Sequence, residues 1–145
     1  MSIILKIKKL HPDAIMPQRA TPKSSGLDLS ALEKSIILPG QTKLIKTGIA
    51  FDIPEGYEVQ VRPRSGLSLK TPLRLANSIG TVDQDYQGDV SVLLWNSGDG
   101  LVIVEAGQRI AQAVLCPIVL PEVEIIKEFS SETIRANNGF GSSGV

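Results

Sequence analysis

Tyr57-Glu58-Val59-Gln60-Val61-Arg62 is the clearest structural signal in the chain. Three β-forming residues alternate with three polar ones, so one face of an extended segment is apolar and the other polar. A period of two marks a strand with one face on a core. Pro54-Glu55-Gly56 turns the chain before it, and Pro63 fixes the exit behind it. The same signals recur in both directions. Leu5 and Ile7 alternate with Lys6 and Lys8, Ser35 to Leu38 is β-rich before Pro39-Gly40, and Leu44 to Ile53 reads as one strand. Val90 to Trp95 is a continuous apolar run, expected of a strand buried on both faces. Asn96 to Gly100 is a turn, with further strands over Leu101–Val104 and Ile110–Leu115. No long stretch has helical periodicity, and one short helix is expected from Ser65. Short strands divided by Gly and Pro turns predict an all-β chain, a jelly-roll-like barrel or sandwich.

At 145 residues the chain is long enough for one domain with a proper core. Its 15 basic and 15 acidic residues balance, so no strong field points to nucleic acid or a membrane surface. The single cysteine, Cys116, cannot form an internal disulfide, which fits a reducing compartment; it is expected to pack beside Pro117. One Cys and one His supply no metal cluster, and His11, in a polar proline-flanked stretch, is expected to be exposed. The opening Met1 to Lys6 lacks the pattern of a signal peptide. No apolar run approaches the ~18 residues of a membrane helix. A soluble, cytoplasmic protein is expected. The segment Asn137 to Val145 is almost all Gly, Ser and Asn around Phe140, too poor in apolar residues to order itself. The expected division is a barrel over 1–134 and a flexible Gly/Ser-rich tail over 135–145.

Chemistry concentrates in a few places. Gly80-Thr81-Val82-Asp83-Gln84-Asp85-Tyr86-Gln87-Gly88-Asp89 sets two carboxylates and a phenol between glycines. If extended, Asp83 and Asp85 share a face and repel unless a cation, a water or a substrate uses them. The other reading is a hairpin tip with solvated acids. Arg62-Pro63-Arg64-Ser65-Gly66-Leu67 places a guanidinium, a hydroxyl and a glycine at the expected helix start, either an anion pocket or a cap with a salt bridge. Asp28, between Leu27 and Leu29, is a solvated acid or one that holds a metal's water shell. Gln112 stands among alanines, and a buried amide needs partners, a ligand among them. Arg135 and Phe140 lie on a string of backbone donors, an ordinary tail or a lid over a ring and phosphates.

Five of these stretches, in order, resemble the motifs of the trimeric dUTP nucleotidohydrolases (dUTPases). They are Ser25-Gly26-Leu27-Asp28-Leu29, Arg64-Ser65-Gly66, Gly80 to Gly88, Arg109-Ile110-Ala111-Gln112, and Arg135 with Gly139-Phe140-Gly141-Ser142. The likeness runs from about Leu10 to the end. It implies a distorted jelly-roll-like β barrel and hydrolysis of dUTP to dUMP and pyrophosphate, which keeps uracil out of DNA and supplies dUMP for thymidylate synthesis. By the same resemblance Asp83 activates the attacking water and contacts the sugar 3′-hydroxyl. Tyr86 would lie on the deoxyribose and exclude a ribose. Asn77, with Thr81 and Val82, would bond uracil. Arg64, Ser65, Gly66 and Gln112 would take the triphosphate, and Mg²⁺ would bridge it, with Asp28 holding one of the ion's waters. Arg135, Phe140, Gly141 and Ser142 would close over the nucleotide, in sites shared between the chains of a homotrimer. Two departures stand out. Ala136-Asn137-Asn138 replaces a glycine-richer segment, with Asn138 the expected substitute for a left-handed glycine, and Gln87 replaces a frequent arginine.

The same fold serves dCTP deaminase, whose glutamate base and amino-group site are replaced here by Asp-x-Asp-Tyr. A catalytically weak nucleotide-binding regulator is the other alternative, and such a relative should have lost Asp83 or the tail.

Overall fold

A computed structural model describes residues 2–139. Along the chain come β1 (Lys6–Lys9), β2 (Leu27–Ser30), β3 (Ser35–Ile37), β4 (Thr42–Lys46), β5 (Ile49–Asp52) and β6 (Tyr57–Arg62). The helix α1 (Ser65–Lys70) follows, then β7 (Leu73–Leu75), β8 (Gly80–Val82), β9 (Ser91–Asn96), β10 (Val102–Val104) and β11 (Arg109–Pro117). Every ladder is antiparallel. The pairs nest: β2 lies beside β11, β3 beside β10 and β4 beside β9. That back-and-forth wrap is the jelly roll. β6 and β8 extend the first pair, giving the order β2-β11-β6-β8, and β7 extends the third.

The period of two at β6 does what its pattern predicts. Val59 and Val61 are buried, while Glu58, Gln60 and Arg62 form a polar row on the other face. They share a core with Leu29, Ile37, Phe51, Leu94 and Ile110. The helix begins at Ser65 as expected and stops before Pro72, where Thr71 is extended because a residue preceding proline disfavours helical backbone.

Two strand expectations need correction. Leu44 to Ile53 is two strands, parted at Thr47-Gly48, where Gly48 takes φ +72° and the Thr47 hydroxyl donates to the Val90 carbonyl. The apolar run at β9 is not buried on both faces. Val92 and Leu94 enter the core, but Trp95, on the other face, is 41% exposed, because β9 has the core on one side only. His11 is half-buried rather than exposed, its Nδ1 accepting the Asp13 N–H at 3.2 Å.

After β11 the Ile118 N–H donates to the Gly56 carbonyl at 2.9 Å, and residues 119–139 are exposed throughout. Among the described residues no helix is long and apolar enough to cross a membrane.

Candidate active site

One half of the site grows from β11. Its register sets Gln112 opposite Asp28 of β2 on one side and opposite Arg62 of β6 on the other. The Asp28 carboxylate, only 16% exposed, accepts Arg64 Nε at 2.8 Å and Arg109 Nη1 at 3.1 Å. Arg64 Nη1 also donates to the Arg109 carbonyl at 3.4 Å. Asp28 is thus no freely solvated acid but the junction of two guanidinium groups. Gln112 finds its partner in the Pro63 carbonyl, to which Nε2 donates at 2.9 Å. Asp28, Arg64 and Gln112, with Ser24, Gly26, Ser65 and Gly66, border a cleft of about 200 Å³. Arg64 leads into α1 without a side-chain cap, so the cleft meets unclaimed backbone N–H groups as well as a guanidinium, a donor set suited to an anion.

Gly26 makes this cleft possible. A Cβ there would run into the Gln112 side chain, with Cδ at 2.9 Å and Cβ at 3.0 Å. Gly26→Ala is expected to push Gln112 off Pro63, to destabilise the fold by about 1–3 kcal/mol, and to cut kcat/KM about tenfold. Thermal unfolding and steady-state kinetics check both effects.

The other half lies between β7 and β9. A turn closed by Ser78 N–H to the Leu75 carbonyl carries Asn77 over the start of β8. A Cβ on Gly80 would come within 3.1 Å of Asn77 Nδ2, so Asn77 rests directly on that glycine. Among the described residues β8 pairs only with β6, Val82 facing Val59, and Gly80–Asp89 is not a hairpin with β9. Nor do Asp83 and Asp85 share the face of an extended strand. The Asp83 carbonyl accepts the Tyr86 N–H at 3.1 Å, and this turn ends the alternation. Asp83 is exposed and makes no ion pair among the described residues. The Tyr86 hydroxyl donates to the Asp89 carbonyl at 3.0 Å, and its ring lies so close over Gly88 that a Cβ there would sit 2.6 Å from Cζ.

Asp89, which sequence reasoning left without a role, fastens this loop. Its carboxylate accepts the Gly48 N–H at 2.9 Å and the Ser91 hydroxyl at 3.0 Å, with the Thr47 N–H at 3.4 Å. Two of those partners lie more than 40 residues away, so no local pattern announces them.

The halves do not meet within one chain. Asp83 follows Val82, beside Val59 near the start of β6, whereas Arg64 lies beyond its end. Five residues of extended chain separate those positions by about 16 Å. Arg135 meets neither half. Its Nε donates to the Asn138 carbonyl at 3.0 Å, inside its own exposed segment. The left-handed residue of that turn is Ala136, at φ 44°, rather than Asn138. Phe140, Gly141 and Ser142 lie outside the described residues.

The sequence pattern of the dUTPase family matches residues 12–144. The chain belongs to the dUTPase family. It is 47% identical over 140 residues to the deoxyuridine 5′-triphosphate nucleotidohydrolase of Nautilia profundicola, covering 97% of this chain and 98% of that one. Among solved structures, the dUTPase of Staphylococcus bacteriophage 80alpha with dUPNHPP superposes with a TM-score of 0.93 at 33% identity, over 99% of this chain and 100% of that one. A point mutant of the dUTPase from phage phi11 of S. aureus, described with a structural Mg(II) ion, superposes at 0.82 with 28% identity, over 88% and 99%. The two halves carry four of the five stretches on which the resemblance to the dUTPases rests.

Proposed function

We propose that this chain hydrolyses dUTP to dUMP and pyrophosphate, keeping uracil out of DNA and supplying dUMP for thymidylate synthesis. The observation that carries the reading is the exposed Asp83 carboxylate, which makes no ion pair among the described residues and stands in a turn closed by the Tyr86 N–H, on a loop fastened at its far end by Asp89. Water is a poor nucleophile, and a carboxylate within hydrogen-bond reach is its natural base. Asp83 takes the proton of the attacking water and contacts the 3′-hydroxyl. Tyr86, anchored on Asp89, stands against the deoxyribose, where a 2′-hydroxyl would collide. Asn77 and the backbone at Thr81 and Val82 bond the uracil edge, and cytosine would leave buried groups unpaired there. Arg64, Ser65, Gly66 and Gln112 orient the triphosphate, and Arg135, Phe140, Gly141 and Ser142 close over the nucleotide.

Among the described residues no three His, Cys, Asp or Glu side chains stand together as a metal site, and both Asp28 oxygens already accept an arginine. The donor set therefore suits a Mg²⁺ that arrives on the triphosphate, with Asp28 touching one of its waters through a remaining lone pair. Bound so, the ion would neutralise phosphate charge.

The separation of Asp83 from the Arg64 cleft supports a homotrimer with shared sites, one chain's loop facing another's cleft. The exposed segment after Ile118 supports it too. Val119, Val123, Ile125 and Phe129 are each more than 80% exposed and are left uncovered by the described residues. A sedimenting mass of a single chain would overturn this assembly. A cytoplasmic location accords with the one free cysteine, Cys116.

The test is to incubate the protein with dUTP and Mg²⁺, with dCTP, dTTP and UTP in parallel, and to separate the products by anion exchange. Selective release of dUMP and pyrophosphate is expected. Binding of dUTP without turnover would favour a regulatory relative, and a product of dCTP that keeps its triphosphate would favour a deaminase.

A further inference from the structure

Arg109 owes its position to an irregularity in the β2–β11 ladder. Gln112 faces Asp28 and Ala111 faces Leu29, but Ser30 is faced by Arg109 rather than Ile110. In an unbroken ladder Ile110 would oppose Ser30 on the polar face, and Arg109 would point at the core. The extra residue reverses this. Ile110 is fully buried beside buried Ala111, and Arg109 comes out on the face of Asp28 and Gln112. Re-aiming a side chain next to a functional site is a recurrent use of a β-bulge.

Two contacts follow. Arg109 Nη1 holds Asp28 Oδ2 while Arg64 Nε holds Oδ1, and the Arg109 carbonyl takes Arg64 Nη1. Arg64 is thereby tied at two of its nitrogens, once through Asp28 and once to the backbone of the bulged strand. The Arg109 side chain itself borders a second hollow of about 210 Å³, with Met16, Arg19 and Ser30, which shares Asp28 with the cleft of Arg64, Ser65 and Gly66 but does not include those three residues. It is therefore placed to act on the cleft through Asp28 rather than to enter it.

We propose that Arg109 is a positioning residue for the triphosphate, fixing the plane of the Arg64 guanidinium through Asp28 and its own carbonyl. The proposal rests on the assignment of the Arg64 cleft to the triphosphate. With the Arg109 side chain gone, the main-chain carbonyl at 109 still takes Arg64 Nη1, but Asp28 is left with a single arginine and follows Arg64 instead of holding it. Phosphoryl transfer depends on placement, so the loss falls on turnover more than on affinity.

The experiment compares Arg109→Gln, Arg109→Ala, Arg109→Lys, Asp28→Asn and the Asp28→Asn/Arg109→Gln double variant in the full chain. Arg109 is half exposed, so these variants are expected to fold, as melting temperature will check. In Arg109→Gln and Arg109→Ala, kcat is expected to fall about tenfold with KM changed less than about threefold. Arg109→Lys, which can still supply one donor to Oδ2, should return to within about threefold of the wild type. The double variant should be no slower than Asp28→Asn, since both act along one line. A second readout needs no turnover. The Arg64 Nε–H signal in ¹⁵N spectra should broaden in Arg109→Gln and sharpen again in Arg109→Lys. Unchanged kcat and an unchanged Arg64 signal would overturn the proposal. So would a raised KM at constant kcat, which would mean direct phosphate contact, or strict additivity in the double variant. A wild type that turns over no dUTP would remove the hydrolase reading, and the Arg64 signal would still decide whether Arg109 positions that side chain.

Discussion

Asp83→Asn is expected to lower kcat for dUTP by about a thousandfold, the scale of a lost general base, while a non-hydrolysable dUTP analogue still binds. Asparagine keeps the size and shape of the side chain but cannot take a proton from water. Little else should change, because Asp83 is exposed and its side chain makes no hydrogen bond or ion pair among the described residues. Its backbone carbonyl, which closes the turn to Tyr86, is present in either residue. The loop should therefore hold its shape, with Tyr86 still anchored on the Asp89 carbonyl. Turnover measured beside calorimetric binding separates the roles. Equal loss of both would assign Asp83 to the architecture of the loop and remove it from water activation.

A chain ending at Ile134 is expected to lose about a hundredfold in kcat/KM, the scale of lost orientation and closure, and to keep its barrel. Residues 119–139 add no buried side chain to the core, and the hydrogen bonds of Arg135 and Ala136 stay within their own segment. Their removal should shift the melting temperature by no more than about 2 °C, since surface changes away from packed features stay within about 0.5 kcal/mol. What is lost is the Arg135 charge and everything after it. Full activity in the shortened chain would make the tail a passive extension.

The sequence made some of this visible and concealed the rest for physical reasons. Tyr57–Arg62 was legible because its two faces meet different surroundings, core on one side and a polar row on the other. Val90–Trp95 was misleading because its outward face carries Leu93 and Trp95, and periodicity cannot distinguish a doubly buried strand from one whose outer row is left partly open. The Gly80–Gly88 motif pointed to a site because its residue types are close in the chain. Its shape was not legible, since the turn between Asp83 and Tyr86 interrupts the extended pattern and the anchorage of Asp89 depends on partners brought in from the Thr47–Gly48 corner before β5. The Asp28–Arg109 contact spans 81 positions and needs a one-residue bulge, which no residue pattern near Arg109 declares.

The anchorage of Asp89 has a consequence for accuracy. Val82 is locked into the β6 ladder and Asp89 onto the Thr47–Gly48 corner, so the loop between them is short and pinned at both ends. Tyr86, tied to one of those ends and packed on Gly88, would then act as a gauge of fixed size rather than a surface that moulds itself to its guest. Fidelity would belong to the barrel and speed to the tail. The preference for dUTP over UTP, measured as a ratio of kcat/KM values, should therefore survive in the chain ending at Ile134 even as both rates collapse: a slow enzyme, but not a careless one.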